Sequence, residues 1–170
     1  MRSVLGREVK VFLGKTVFET IIEVAPLISI DLVVRNASGQ VLLGMRTNRP
    51  DQGYWFVPGG RIYKNESLGE AFNRLTKMEL GIELSICDAK YLGLYEHFYE
   101  DCVFDLPSSG KQNSTHYVIN RFGIVLPSHI TELPKDQHEE YRWLSEADLL
   151  AADDVHLYSK WYFDKDKGFL

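Results

Sequence analysis

Four consecutive apolar residues that break on Pro-Gly-Gly and resume as an amphipathic helix restrict the folds open to a chain more than composition does. Here that run spans Gly53 to Ile82: Tyr54, Trp55, Phe56 and Val57 read as a strand, and Pro58-Gly59-Gly60 as a turn. A loop and a motif helix over about residues 66–80 follow. At about 100° per residue, Leu68, Ala71, Phe72, Leu75 and Met78 form one apolar arc. Glu70 projects to the solvent side, with Arg74 at the favourable i,i+4 spacing. Glu79 falls at the edge of the arc beside Phe72 and Leu75, and periodicity leaves it either leaning to solvent or turned inward. An inward carboxylate is costly unless a cation or donor meets it.

The flanks read as strands and short helices. Thr16 to Val24 has Val17, Ile21 and Val24 on one side of a helix that Pro26 ends. Leu27 to Arg35 and Gln40 to Arg46 pair as a hairpin across Asn36-Ala37-Ser38-Gly39. Asp31 sits mid-strand, where β-propensity disfavours it; an edge position, a polar face or a place in a pocket would each explain it. Gly81 caps the motif helix. Tyr91 to Phe98, Thr115 to Val125 and Glu140 to Leu144 are further strands, and Ser145 with Asp148 caps a helix over Glu146 to Ala152. An aromatic-rich helix ends the chain at His156 to Lys165. Tyr99 to Ser114 is polar and irregular, as a lid would be. The pattern predicts an α/β sandwich over a mixed sheet.

With 170 residues the chain suits one domain, and a net charge of −5 argues against nucleic-acid binding by general electrostatics. Cys87 and Cys102 are too few for a disulfide framework or a zinc site, so a reducing cytoplasm is expected. No run is apolar enough for a membrane span. The basic start (Met1 to Arg7) lacks the core and cleavage site of a signal peptide, and residues 1–11 read as an extension or a vector remnant.

Chemistry concentrates at the turn. A backbone carbonyl opposite a helix carboxylate, completed by phosphate and water oxygens, is a ligand set for Mg²⁺. Arg46, Arg49 and Arg61 flank the turn with forks suited to phosphate. His138, beside Gln137, is a candidate general base. His97, His116, His129 and His156 stand as solvated histidines, and nothing local raises His129 or His156 above that.

Gly60, Glu66, Arg74, Glu79, Gly81 and Ile82 match the spacing of the Nudix hydrolase signature, with Leu75 and Met78 at two of its glutamate positions and Thr76 at an aliphatic one. Those departures resemble the GDP-mannose mannosyl hydrolase subfamily. So do the runs RTNRPDQGYWFVPGGR (Arg46 to Arg61), RLTKMELG (Arg74 to Gly81), EHFYED (Glu96 to Asp101), THY (Thr115 to Tyr117) and LPKDQHEEYRWL (Leu133 to Leu144).

The resemblance implies a Nudix α/β/α sandwich over residues 12–170, a homodimer, one Mg²⁺ per subunit, and hydrolysis of GDP-mannose or a related GDP-sugar to GDP and sugar with inversion. It implies metal ligation by the Gly59 carbonyl, Glu79 and Gln137, and a general base at His138. Arg46, Arg61 and Tyr117 match groups that hold the leaving diphosphate, and Asp31 and His97 match supporting pocket residues. Phe12, Leu13 and Phe18 match a nucleotide-binding segment. Two alternatives stay open: cleavage at phosphorus, releasing GMP and a sugar phosphate, and a non-catalytic nucleotide-sugar-binding module.

Overall fold

Period-two patterning places one strand at the centre of everything else. In the computed structural model, which describes residues 13–104, 114–126, 133–134, 140–164 and 166–167, that strand is β1 (Leu27–Arg35). Its residues Ile30, Leu32 and Val34 enter one core and Val33 the other. A strand buried on both faces needs an almost unbroken apolar sequence, and Ser29 and Asp31 are the polar exceptions in the interior of this one.

Along one side of β1 run β2 (Val41–Met45) and β4 (Gly59–Arg61), both antiparallel. Along the other runs β6 (Thr115–Val125), parallel over nine residue pairs from Leu27↔Tyr117 to Arg35↔Val125. Outside β6 lies β5 (Lys90–Tyr99); outside β2 lie β3 (Trp55–Phe56) and β7 (Tyr141–Leu144). Together they form a mixed sheet of seven strands among the described residues. Asp31 faces Gly59 across one edge of β1 and Arg121 across the other, so an edge position does not explain it.

One face of the sheet is covered by α2 (Leu68–Leu80), whose Ala71, Phe72, Leu75 and Leu80 pack on Ile30, Leu32, Leu42 and Phe122. Ser67 and Glu70 close a reciprocal capping box at its start, and Gly81 ends it at φ 76°, a left-handed turn that favours glycine. Two features differ from the helical projection. Leu68 is exposed, and Arg74 pairs with Glu66 rather than Glu70, whose carboxylate accepts the Ser67 N–H in the cap.

The other face is covered by α3 (Glu146–Ala151) and α4 (Leu157–Trp161), with Leu149 and Tyr162 against Val33, Val41, Trp55 and Ile119. The result is the expected three-layer sandwich. Helix α1 (Lys15–Val24) lies to one side, and its packed face matches the one its apolar spacing suggests only in part. Val17 and Val24 are 55% and 72% exposed, while Ile21, as expected, packs with Ile22 and Phe18 against Leu27, Cys102 and Phe104. β-Branched residues occur all around this short helix, so spacing alone does not select one face.

Candidate active site

Two glycines let the turn lie close enough to build a site. A Cβ at Gly59 would stand 2.5 Å from the Ile30 carbonyl oxygen and 2.7 Å from Asp31 Oδ1. One at Gly60 would stand 2.7 Å from Leu75 Cδ2. Only a residue without a side chain allows β4 to press against β1 beneath α2. Arg74 then fixes the following loop. It donates Nε to Glu66 Oε1 at 2.6 Å and Nη2 to Glu66 Oε2 and to the Arg61 carbonyl at 2.8 Å each, and its guanidinium lies 3.9 Å from the Tyr63 ring. The signature spacing of Glu66 and Arg74 thereby becomes a brace for the backbone that carries Arg61.

Between the turn, β1 and the loop after β2 opens a cavity of about 230 Å³. Asp31, Arg46, Arg49, Gly59, Gly60, Arg61, Glu79 and Tyr117 all line it, so eight of the residues singled out in the sequence converge. Tyr99 and Phe56 are also part of its wall. Glu79 is turned inward, 3% exposed, which settles the alternative left open by periodicity. Leu13 and Phe18 are not in the lining; Phe18 reaches the site indirectly, its ring 4.0 Å beneath the Arg61 guanidinium. Phe12, Gln137, His138 and His129 lie outside the described residues. So does most of the Tyr99 to Ser114 stretch, residues 105–113.

Arg46 is the central cation. Its guanidinium stacks 4.3 Å from the Phe56 ring and donates Nη1 to the Pro50 carbonyl at 2.8 Å, which ties together both ends of the 46–50 loop. The same loop is pinned at Asp51, where His156 Nε2 lies 2.8 Å from the carboxylate. His156 is therefore no solvated histidine. Its ring stacks 4.5 Å over Phe56, and its Nδ1 accepts the Tyr158 N–H at the start of α4. Burial holds its pKa below the ordinary histidine range.

The Asp31 carboxyl is pushed up to about 6 by burial, against the opposing pull of the Tyr162 hydroxyl and Arg46; the nearby Glu79 charge pushes the same way as burial. A raised carboxyl binds a proton more tightly folded than unfolded. Its stabilising share is complete below its unfolded value near 3.8 and is lost as pH rises through about 6. Asp31→Asn is therefore expected to stabilise the metal-free protein above pH 6.5, by up to ~3 kcal/mol, and to leave stability near pH 3.5 unchanged. Urea unfolding at the two pH values checks this, and an equal gain at both would count against it.

His97 stands differently from expectation. It is not in the cavity lining but behind it, 2% exposed, with its ring flat against Tyr158 at 4.0 Å. Burial, with the positive charge of His156 and Arg46 nearby, lowers its pKa to about 3. It is a neutral imidazole at any working pH. Burial also raises the Tyr99 and Tyr117 hydroxyls, which stay protonated and available as donors.

The donors around the turn are oxygens, the set that suits a hard divalent cation. Among the described residues no three His, Cys, Asp or Glu side chains gather to hold a metal. Glu79 and the turn carbonyls fit a cation that keeps waters and takes phosphate oxygens, as Mg²⁺ does. No helix of the described residues is long and apolar enough to cross a membrane. Cys87 and Cys102 are both free, the first exposed and the second buried.

Tyr162, Tyr158, Tyr99 and the Asp51–His156 pair were not found from the sequence. The aromatic density of Tyr158, Trp161 and Tyr162 was the one local signal.

Comparison with known proteins agrees with this architecture. The NUDIX domain family matches residues 25–164. The low-salt glycan biosynthesis protein Agl8 of Haloferax volcanii is 39% identical over 125 residues, covering 74% of each chain. The MutT protein of Methanosarcina mazei Go1 superposes with a TM-score of 0.61 at 25% identity, over 81% of this chain and 91% of its own. A MutT NUDIX hydrolase from Burkholderia pseudomallei gives a TM-score of 0.62 at 23% identity, over 84% and 98%. With the sandwich, the braced Gly-Gly turn and the buried helix carboxylate all in place, the chain belongs to the Nudix hydrolase family.

Proposed function

We propose that this Nudix hydrolase cleaves a sugar nucleotide, GDP-mannose or a related GDP-sugar, to GDP and the free sugar, by water attack at the anomeric carbon with inversion. The observation that carries the reading is the content of α2. At the signature's glutamate positions, Leu75 is buried against the turn and Met78 sets its sulfur 3.7 Å from Arg74 Nη1, leaving Glu79 as the α2 carboxylate that faces the cavity. Attack at phosphorus by a water held among several helix carboxylates lacks those groups here. Attack at carbon needs one base and a stabilised leaving group.

The cavity suits the second task. Its wall carries arginines and tyrosines beside two carboxylates, a lining suited to a diphosphate joined to a polyhydroxylated sugar. Arg46 and Arg61 neutralise the charge that develops on the departing β-phosphate, and the protonated Tyr117 hydroxyl donates to it. Asp31 faces the sugar. His138 takes the proton of the attacking water as its oxygen bonds to the anomeric carbon and the bond from that carbon to the phosphate oxygen breaks. A Mg²⁺ held by Glu79, the Gly59 carbonyl and Gln137 would supply positive charge to the diphosphate. Phe12, Leu13 and Phe18 would contact the nucleoside, beginning with the Phe18 ring under Arg61. The Agl8 relative is named for low-salt glycan biosynthesis, which supports a sugar-linked substrate. The subfamily resemblance extends the reading to a homodimer, which a solution mass measurement checks.

Hydrolysis in ¹⁸O-water tests the reaction: label is expected in the released sugar, and label in phosphate would replace this reading with cleavage to GMP and a sugar phosphate. Tight Mg²⁺-dependent binding without turnover would identify a binding module instead. His138→Gln is expected to lower turnover at least about 10²-fold, as for loss of a general base. Near-normal turnover in that variant would remove His138 from the mechanism.

A further inference from the structure

The hydroxyl of Tyr162, one residue beyond α4, enters the polar layer behind the cavity from the far face of the sheet. It donates to Asp31 Oδ2 at 2.5 Å and lies 3.4 Å from His97 Nε2. These contacts join residues 131 and 65 positions away in sequence. A phenol has one proton to give. With that proton on Asp31, Tyr162 can only accept from His97, which puts the imidazole hydrogen on Nε2. The tyrosine itself is held on both sides. Its carbonyl accepts from Arg121 Nη1, and its ring meets Tyr95 edge-on at 4.9 Å. His97 is locked in turn by the flat stack on Tyr158.

We propose that Tyr162 is a positioning residue of the hydrolytic site. It aims the Asp31 carboxylate into the cavity over the Gly59 turn and sets the tautomer of His97, so the C-terminal helix is part of the catalytic apparatus. Asp31 needs such a hold because β1 presents it from a nearly apolar strand, where a free carboxylate would turn toward whichever cation lies nearest. Arg46 lines the same cavity and its charge acts on Asp31. The hydroxyl fixes Asp31 Oδ2 while Arg46 keeps its own hold on the Pro50 carbonyl and the Phe56 ring.

This inference rests on the hydrolase reading, and its test separates the two. Tyr162→Phe removes one oxygen and keeps the ring packed. It is expected to lower kcat about 10-fold or more on GDP-mannose with KM little changed, the mark of misplacement rather than lost binding. In an Asp31→Ala background the same substitution should add nothing, since no carboxylate is left to aim. Additive losses, or an unaltered kcat in the single variant, would overturn the proposal. ¹⁵N imidazole spectra supply a readout independent of turnover: His97 should be the Nε2–H tautomer in the wild type and should change in Tyr162→Phe. An unchanged imidazole signal overturns the tautomer assignment. If the wild type leaves GDP-mannose intact, the hydrolase reading falls, and the spectra alone decide whether Tyr162 organises His97.

Discussion

Glu79→Gln is expected to lower turnover on the order of 10²–10³-fold and to blunt the response of the fold to Mg²⁺. Glu79 is 3% exposed, lines the cavity and acts on Asp31 through its charge. The substitution removes the anionic oxygen that would hold Mg²⁺ against the diphosphate. Mg²⁺ should raise the melting temperature of the wild type, because a ligand that binds only the folded state stabilises it by mass action. It should do so far less for the variant. Melting curves with and without Mg²⁺ read both effects, and an equal Mg²⁺ response in the two proteins would exclude Glu79 as a ligand.

Arg46→Ala is expected to cost a similar factor, on the order of 10²–10³ in kcat/KM, for a different reason. Arg46 lines the cavity, and its field reaches Asp31, His97, Tyr99, Tyr117 and His156. In the proposed reaction its loss would take a fixed positive partner from the developing phosphate charge, and the Phe56 ring would lose the plane stacked on it. Arg46→Lys keeps the charge but neither the fork nor the flat stack, and should remain at least about 10-fold below wild type. Full activity in the lysine variant would mean that charge alone suffices. Steady-state kinetics on the purified variants distinguish these outcomes.

Much of the fold was legible because its local signals were strong. Leu27 to Arg35 and Thr115 to Val125 are strands at the expected limits, and Gly81 ends α2 where expected. Three features that the sequence left open or misread have physical causes. Glu79 lies where the apolar arc ends, and what turns it inward is the cavity beside it, built by β1, β4 and the loop after β2. Arg74 answers Glu66, eight residues earlier, across a loop-to-helix junction that helical periodicity does not describe. Asp31 meets Tyr162 from the opposite end of the chain, and only the parity of β1 together with the placement of α4 brings them into contact. The site was legible as a set of residues converging on the turn. Its second layer, His97, Tyr158 and Tyr162, was not, because stacking and hydroxyl contacts between distant segments leave no periodic trace.

The contact between Gly60 and Leu75 restricts what position 75 can hold. A glutamate at position 75 would exchange hydrocarbon that is 2% exposed for a carboxylate wedged against the turn. Burying that charge unpaired costs several kcal/mol, a large part of an ordinary domain's stability. A carboxylate at position 75 would therefore have to arrive together with the cation or donors that receive it.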